Sequence, residues 1–299
     1  MRTLRVLATV LAACVAGAAA QTGAPLADHV LVIGIDGLGA EGLRASTSPT
    51  LHGLMSNGAS TLTARGVIPT VSSPNWASMI MGAGPERHGV TSNDWEPNKH
   101  EIEPVVTGPG GIFPTMFGVL RAIRPDAVIG IVHEWDGFAR LVEPGAPTLV
   151  EHGVDGVKTV EIAARFIREK KPALMFVHLD LVDHAGHSSG WMTADYMAAL
   201  GDADALVGRL LTAADEAGIR ARTLVLVSAD HGGVGTRHGG LTMSEIEIPW
   251  IASGAGVKRG HAITTPVATI DTAPTVLHAL GVSQPAAWVG RPVLDALDR

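Results

Sequence analysis

His29-Val30-Leu31-Val32-Ile33-Gly34-Ile35-Asp36 is a continuous apolar run that opens into Asp-Gly-Leu-Gly. Unbroken hydrophobicity, rather than alternation, is the pattern of a strand covered on both faces. Two later runs repeat the form. Ala173-Leu174-Met175-Phe176-Val177-His178-Leu179-Asp180 leads into Val182-Asp183-His184-Ala185-Gly186-His187, and Thr223-Leu224-Val225-Leu226-Val227-Ser228-Ala229-Asp230 leads into His231-Gly232-Gly233. Residues 127–133 and 248–252 have similar character, with Pro249 suited to a strand's start or edge. Helical patterns lie between them: residues 157–170, residues 193–217 ahead of Gly218, and a segment that Asp271-Thr272-Ala273-Pro274 opens and Gly281 closes. Strands alternating with helices predict an α/β fold, a three-layer α/β/α sandwich around a mainly parallel central sheet. No repeat or linker divides the chain, so a single domain is expected over residues 25–299. In such sheets the ligand site lies outside the carboxyl ends of the strands, where Asp36, Asp183 and Asp230 fall.

The chain has 299 residues, 46% of them hydrophobic, enough to bury a large core and inconsistent with disorder. Residues 1–20 carry Arg2 and Arg5, then an apolar run, then Ala18-Ala19-Ala20. This predicts a signal peptide cleaved after Ala20 and export to the periplasm or the medium. Leu11-Ala12-Ala13-Cys14 offers lipidation at Cys14 as the lesser alternative, and the run is too short for a membrane span. The leader takes two of 22 basic residues, so 20 would face 29 acidic ones, and it takes the single cysteine. The mature chain would then have no disulfide and no thiolate metal site. Its acidic balance argues against a nucleic-acid polymer bound through a basic face, but not against a small phosphate ester held by metal ions.

The segment 67–82 sets Ser72 between a Pro-rich turn and a short apolar helix. Unpaired N–H groups at a helix start stabilise an anion, so a hydroxyl there suits a nucleophile; a helix cap is the competing reading. Asp183 and His187 stand four apart, on one side of any helical turn. Asp230 and His231 are adjacent before two glycines, and His238 follows seven residues later. Carboxylates and imidazoles without thiolates form a ligand set that zinc accepts.

Together these residues resemble the alkaline phosphatase superfamily, in its type I phosphodiesterase and nucleotide pyrophosphatase branch. The resemblance rests on Val32-Ile33-Gly34-Ile35-Asp36-Gly37, on Pro69-x-x-Ser72-x-Pro74-Asn75 running into Met81-Gly82 and Pro85-Glu86-Arg87-His88-Gly89, and on Asp183-x-x-Gly186-His187, Ser228-Ala229-Asp230-His231-Gly232 and His238-Gly239. It implies two divalent ions, most simply Zn2+: one on Asp36, Asp230, His231 and the Ser72 oxygen, the other on Asp183, His187 and His238. It further implies a Ser72-phosphoryl intermediate, with the Asn75 amide donating to a phosphoryl oxygen. An asparagine there goes with phosphodiesters or phosphonates, and a phosphomonoesterase or phosphonate hydrolase stays open as the alternative. A sulfatase needs arginine four residues after its nucleophile, where this chain has Trp76. An inactive binding protein would lack a ligand or the nucleophile, and none is missing. His178 and His184 are expected to support ligands, and His88 and Asn93 to shape the pocket floor. Trp95, Trp135 and Trp191 are offered as a stacking wall or as plain packing, and residues 133–138 as a recognition loop.

Overall fold

The computed structural model describes residues 20 and 23–298. The signal peptide and Cys14 readings concern residues outside those described, apart from Ala20. Eight strands form one sheet: β1 His29–Ile35, β2 Gly58–Arg65, β3 Ile129–His133, β4 Leu149–His152, β5 Leu174–Leu179, β6 Thr223–Ser228, β7 Glu247–Gly254 and β8 His261–Ala262. Their order is β4-β3-β5-β1-β6-β7-β2-β8. From β4 to β6 every neighbour is parallel; β7 runs antiparallel to both β6 and β2. Helices flank the sheet, the longest being Gly156–Lys170 and Ala194–Glu216, so the three-layer α/β/α sandwich is the architecture observed.

The central strands β3, β5 and β6 are buried along their whole length, which is why they read as unbroken apolar runs. Strand β4 alternates between half-buried and exposed residues, as an edge strand does. The helices begin on side chains that accept from free N–H groups: Asp155 from Lys158, Thr193 from Tyr196. Asp204, buried within Ala194–Glu216, accepts from Thr50 and Leu51 N–H and so caps the helix Pro49–Ser56 from a distant part of the chain.

One glycine fixes how the helix Ser72–Met81 sits on the sheet. A Cβ on Gly34 of β1 would lie 2.5 Å from two atoms of the Trp76 ring, and that ring has no exposed surface. Gly34→Ala is therefore expected to cost about 1–3 kcal/mol, read from the urea denaturation midpoint, because the indole cannot move without displacing its neighbours. Gly53→Ala is the control. It sits within the helix Pro49–Ser56 with nothing near its added carbon, and should stabilise by up to about 1 kcal/mol.

Candidate active site

The carboxyl ends of β1, β5 and β6 meet the start of the helix Ser72–Met81. Asp36 follows β1 directly, and Gly37 turns the chain there with φ +69°. A Cβ on Gly37 would fall 2.7 Å from the Asp183 Cα, so this glycine lets the helix Leu181–Ser189 approach the strand end. On that helix Asp183 and His187 lie one turn apart, His187 Nε2 standing 3.3 Å from Asp183 Oδ2. After β6, Asp230 and His231 are fully buried. His231 Nε2 lies 3.1 Å from Asp230 Oδ2, 3.5 Å from Asp36 Oδ1 and 3.3 Å from Ser72 Oγ. His238 Nε2 is 3.0 Å from His187 Nε2 and 3.9 Å from Asp183 Oδ1, and its ring stacks on His231 at 3.7 Å and 17°. The structure thus brings together Asp36, Ser72, Asp183, His187, Asp230, His231 and His238.

Whether these residues fit metal ions is decided by their unused atoms. Asp36 Oδ1, Asp183 Oδ1 and Asp230 Oδ2 are buried without a hydrogen-bond partner among the described residues, an unfavourable state unless a cation meets them. The imidazoles give the same answer. Nδ1 of His187, His231 and His238 each lies at hydrogen-bond distance from a backbone carbonyl, of Thr236, Gly232 and Thr70 respectively. Donation from Nδ1–H fixes the tautomer and points the Nε2 lone pairs into the site, where two of them face each other at 3.0 Å. Burial keeps the imidazoles of His231 and His238 neutral, the first pushed down to about 3 and the second also lowered. It also pushes Asp183 up to about 9 and Asp230 well up, helped by the Asp36 charge. Burial opposes ionisation of Asp36 as well, but hydrogen bonding from His178 and from the Trp76 indole holds its carboxyl well below the usual range. Three groups of donors lie within 4.8 Å of one another: Asp36 with Asp230 and His231, Asp183 with His231 and His238, and Asp36 with His178 and Asp180. An oxygen and imidazole set of this kind fits hard or borderline divalent cations.

Ser72 is the first residue of its helix rather than the residue ahead of it, with Val71 at the cap position. The capping is done by Asn93, whose Oδ1 accepts from Ser73 N–H at 2.8 Å, so Ser72 Oγ is left to face His231. Asn93 presents its side-chain NH2 with no protein partner among the described residues, and sequence reasoning gave it only the pocket floor. Asn75 departs from its expected role. It is fully buried, its Oδ1 accepts from Val67 N–H, and its NH2 donates to the carbonyls of Val67, Pro69 and Val71. Its donors are spent on the turn that precedes Ser72, so no amide hydrogen is left for a phosphoryl oxygen.

His178 stands behind Asp36, its Nε2 3.2 Å from Oδ2, and the Trp76 indole N–H donates to the same oxygen at 3.0 Å. His184 is exposed and its side chain contacts none of the candidate ligands among the described residues; a step of one residue from Asp183 turns it about 100° away around the helix. His88 is buried between Ser78 Oγ and Val90 N–H and holds the two helices of its region together. Trp191 packs against Gly186 and Gly233 with its N–H on Gly37 O, and Trp95 is buried, so the stacking wall reduces to Trp135. In the expected recognition loop His133 and Phe138 are likewise buried. Just beyond it, Arg140 reaches back to the start of the helix Ser72–Met81.

Among the known families, the model of type I phosphodiesterase / nucleotide pyrophosphatase matches residues 30–110 and 128–247. Mouse ectonucleotide pyrophosphatase/phosphodiesterase family member 3 is 23% identical over 214 residues, 68% of this chain and 24% of that protein. Zebrafish arylsulfatase K is 32% identical over 111 residues, 36% of this chain and 21% of that protein. The chain thus spans less than a quarter of the length of these curated relatives. Among solved structures, an inactive variant of murine ectonucleotide pyrophosphatase/phosphodiesterase 5 in complex with AMP superposes with a TM-score of 0.74 at 16% identity, over 91% of this chain and all of that one. A variant of the alkaline phosphatase PafA gives 0.74 at 13% identity, over 92% of this chain and 100% of that chain. A 2-O GAG sulfatase gives 0.73 at 17% identity, over 89% of this chain and 73% of that chain. Likeness at these identities establishes a shared fold.

Proposed function

Because the chain belongs to the type I phosphodiesterase / nucleotide pyrophosphatase family, we propose that it hydrolyses phosphodiester or pyrophosphate bonds in a small substrate, with Ser72 as nucleophile. Supporting this is the gathering of three aspartates and three histidines at the ends of parallel strands, with Ser72 Oγ 3.3 Å from His231 Nε2 and with buried carboxylate oxygens that lack partners among the described residues. Two divalent ions, zinc by the donor set, are assigned to Asp36, Asp230, His231 and Ser72 and to Asp183, His187 and His238. When bound, they would neutralise phosphoryl charge and lower the pKa of the Ser72 hydroxyl and of the hydrolytic water.

Ser72 Oγ forms a bond to phosphorus as the bond to the leaving oxygen breaks. Asn93, held beside Ser73 N–H, takes the role first given to Asn75: its free NH2 donates to a non-bridging oxygen as charge develops there. Water then breaks the Ser72–phosphorus ester and returns the hydroxyl. His178 and Trp76 keep Asp36 in one orientation throughout.

A nucleotide-sized ester suits this reading, in keeping with the AMP held by the phosphodiesterase 5 structure. The leader-like residues 1–20 support export, with residues 25–299 acting as one catalytic domain. No helix among the described residues is long and apolar enough to cross a membrane. Trp76 stands where a sulfatase needs its arginine, which favours phosphoryl over sulfuryl transfer despite the arylsulfatase K match. The nearby guanidinium of Arg140 is engaged by Glu96, Ser73 and Asn93, which favours the singly charged diester over a dianionic monoester. With zinc, kcat/KM for bis-(p-nitrophenyl) phosphate is expected to exceed that for p-nitrophenyl phosphate by about tenfold or more. Equal or greater monoester activity overturns the diesterase reading.

A further inference from the structure

Arg140 lies in the 3-10 helix Asp136–Leu141 after β3, yet its contacts belong to two other segments. Its Nη2 donates to the Asn93 carbonyl and stands 3.4 Å from Ser73 Oγ, across 47 and 67 residues of sequence. Nη1 reaches Glu96 Oε1 at 3.4 Å, and the guanidinium lies 5.7 Å from the centre of the Trp135 ring. Only 24% of the side chain is exposed, and Nε is buried with no partner among the described residues. A guanidinium drawn this far from water, with only half-exposed Glu96 to balance it, is costly for a merely local contact. What it fixes is specific. Asn93 is gripped at both ends, its carbonyl by Arg140 and its Oδ1 by Ser73 N–H, so the direction of its NH2 is set by a rigid planar fork.

We propose that Arg140 is a positioning residue that acts through Asn93: it holds the Asn93 amide in register with the start of the nucleophile helix. This rests on the hydrolase reading above. Arg140→Ala is expected to lower kcat for bis-(p-nitrophenyl) phosphate by about 10- to 100-fold, with KM changed less than about threefold, since a misplacement near 1 Å costs that much. In an Asn93→Ala background the same change should cost less than about threefold, because the group it positions is gone. Arg140→Lys, which keeps the charge but loses the fork, should stay close to Arg140→Ala. Multiplying effects of the two alanines, or an Arg140→Ala enzyme within threefold of the parent, overturns the proposal. A parent protein without hydrolase activity sinks the function reading instead. The positioning claim is then decided by a crystal structure of Arg140→Ala, in which the Asn93 Oδ1 to Ser73 N–H hydrogen bond should be lost. Its retention counts against the proposal.

Discussion

Ser72→Ala is expected to lower kcat for the diester on the order of 10³-fold or more while leaving the thermal midpoint close to that of the parent. The two halves of this expectation have separate physical origins. Ser72 Oγ, the proposed nucleophile, lies 3.3 Å from His231 Nε2, and the neighbouring hydroxyl is no substitute: Ser73 is fully buried and its Oγ is near Arg140. Stability should hardly change, because the helix cap is carried by Asn93 on the Ser73 N–H and not by the Ser72 side chain. Folding measured by circular dichroism and turnover measured with p-nitrophenyl release separate the two. A Ser72→Ala protein that retains turnover would refute the covalent mechanism, and one that unfolds would refute the assignment of the cap.

Chelation is expected to act on activity and stability together. Dialysis against EDTA should abolish turnover, lower the thermal midpoint by on the order of 10 °C, and be reversed by zinc. The stability effect follows from the buried oxygens of Asp36, Asp183 and Asp230, which have no other partner. Its pH dependence has a definite sign. In the metal-free protein Asp183 is pushed up to about 9 and Asp230 also upward, whereas both ionise near 3.8 in the unfolded chain. The native state then holds protons that the unfolded state has released, so stability falls as pH rises towards 9. Below about pH 6.5 the buried histidines oppose this, since His88 and His231, both pushed down to about 3, favour the unfolded state as they charge. The clean window is therefore pH 7 to 9. There the metal-free protein should lose thermal stability with rising pH and the zinc-loaded protein should not. A metal-free protein whose midpoint is flat across that window would overturn this account.

The sheet's middle was legible because strands buried on both faces have no polar alternation to obscure them: β1, β3, β5 and β6 all stood out as apolar runs. Strand β2, with sequence GASTLTAR, was not, since small and hydroxylated side chains carry neither period strongly and its place is set by distant pairing with β7. Strands β4 and β8 have four and two residues, too few for a pattern. In the site, residues at strand ends and on one helix turn announced themselves by spacing. Asn75 and Asn93 did not. An amide becomes a structural tie or a free donor according to which backbone groups surround it, and for these two that depends on the turn at 67–71 and on a hydrogen bond spanning 20 residues. Arg140 was hidden for the same reason: its partners are remote in sequence.

The stacked pair His231 and His238 sets a mechanical condition on the whole centre. In the proposed assignment His231 serves one ion and His238 the other; both rings are tied at Nδ1 and stack with their centres 3.7 Å apart. Neither imidazole can swing without opening a gap or colliding with the other. The separation of the two donor sets is thereby held by the thickness of an aromatic ring, a ruler that does not stretch, rather than by flexible carboxylate arms. A bulkier or missing ring at residue 238 would change the gauge of the centre as well as remove a proposed ligand.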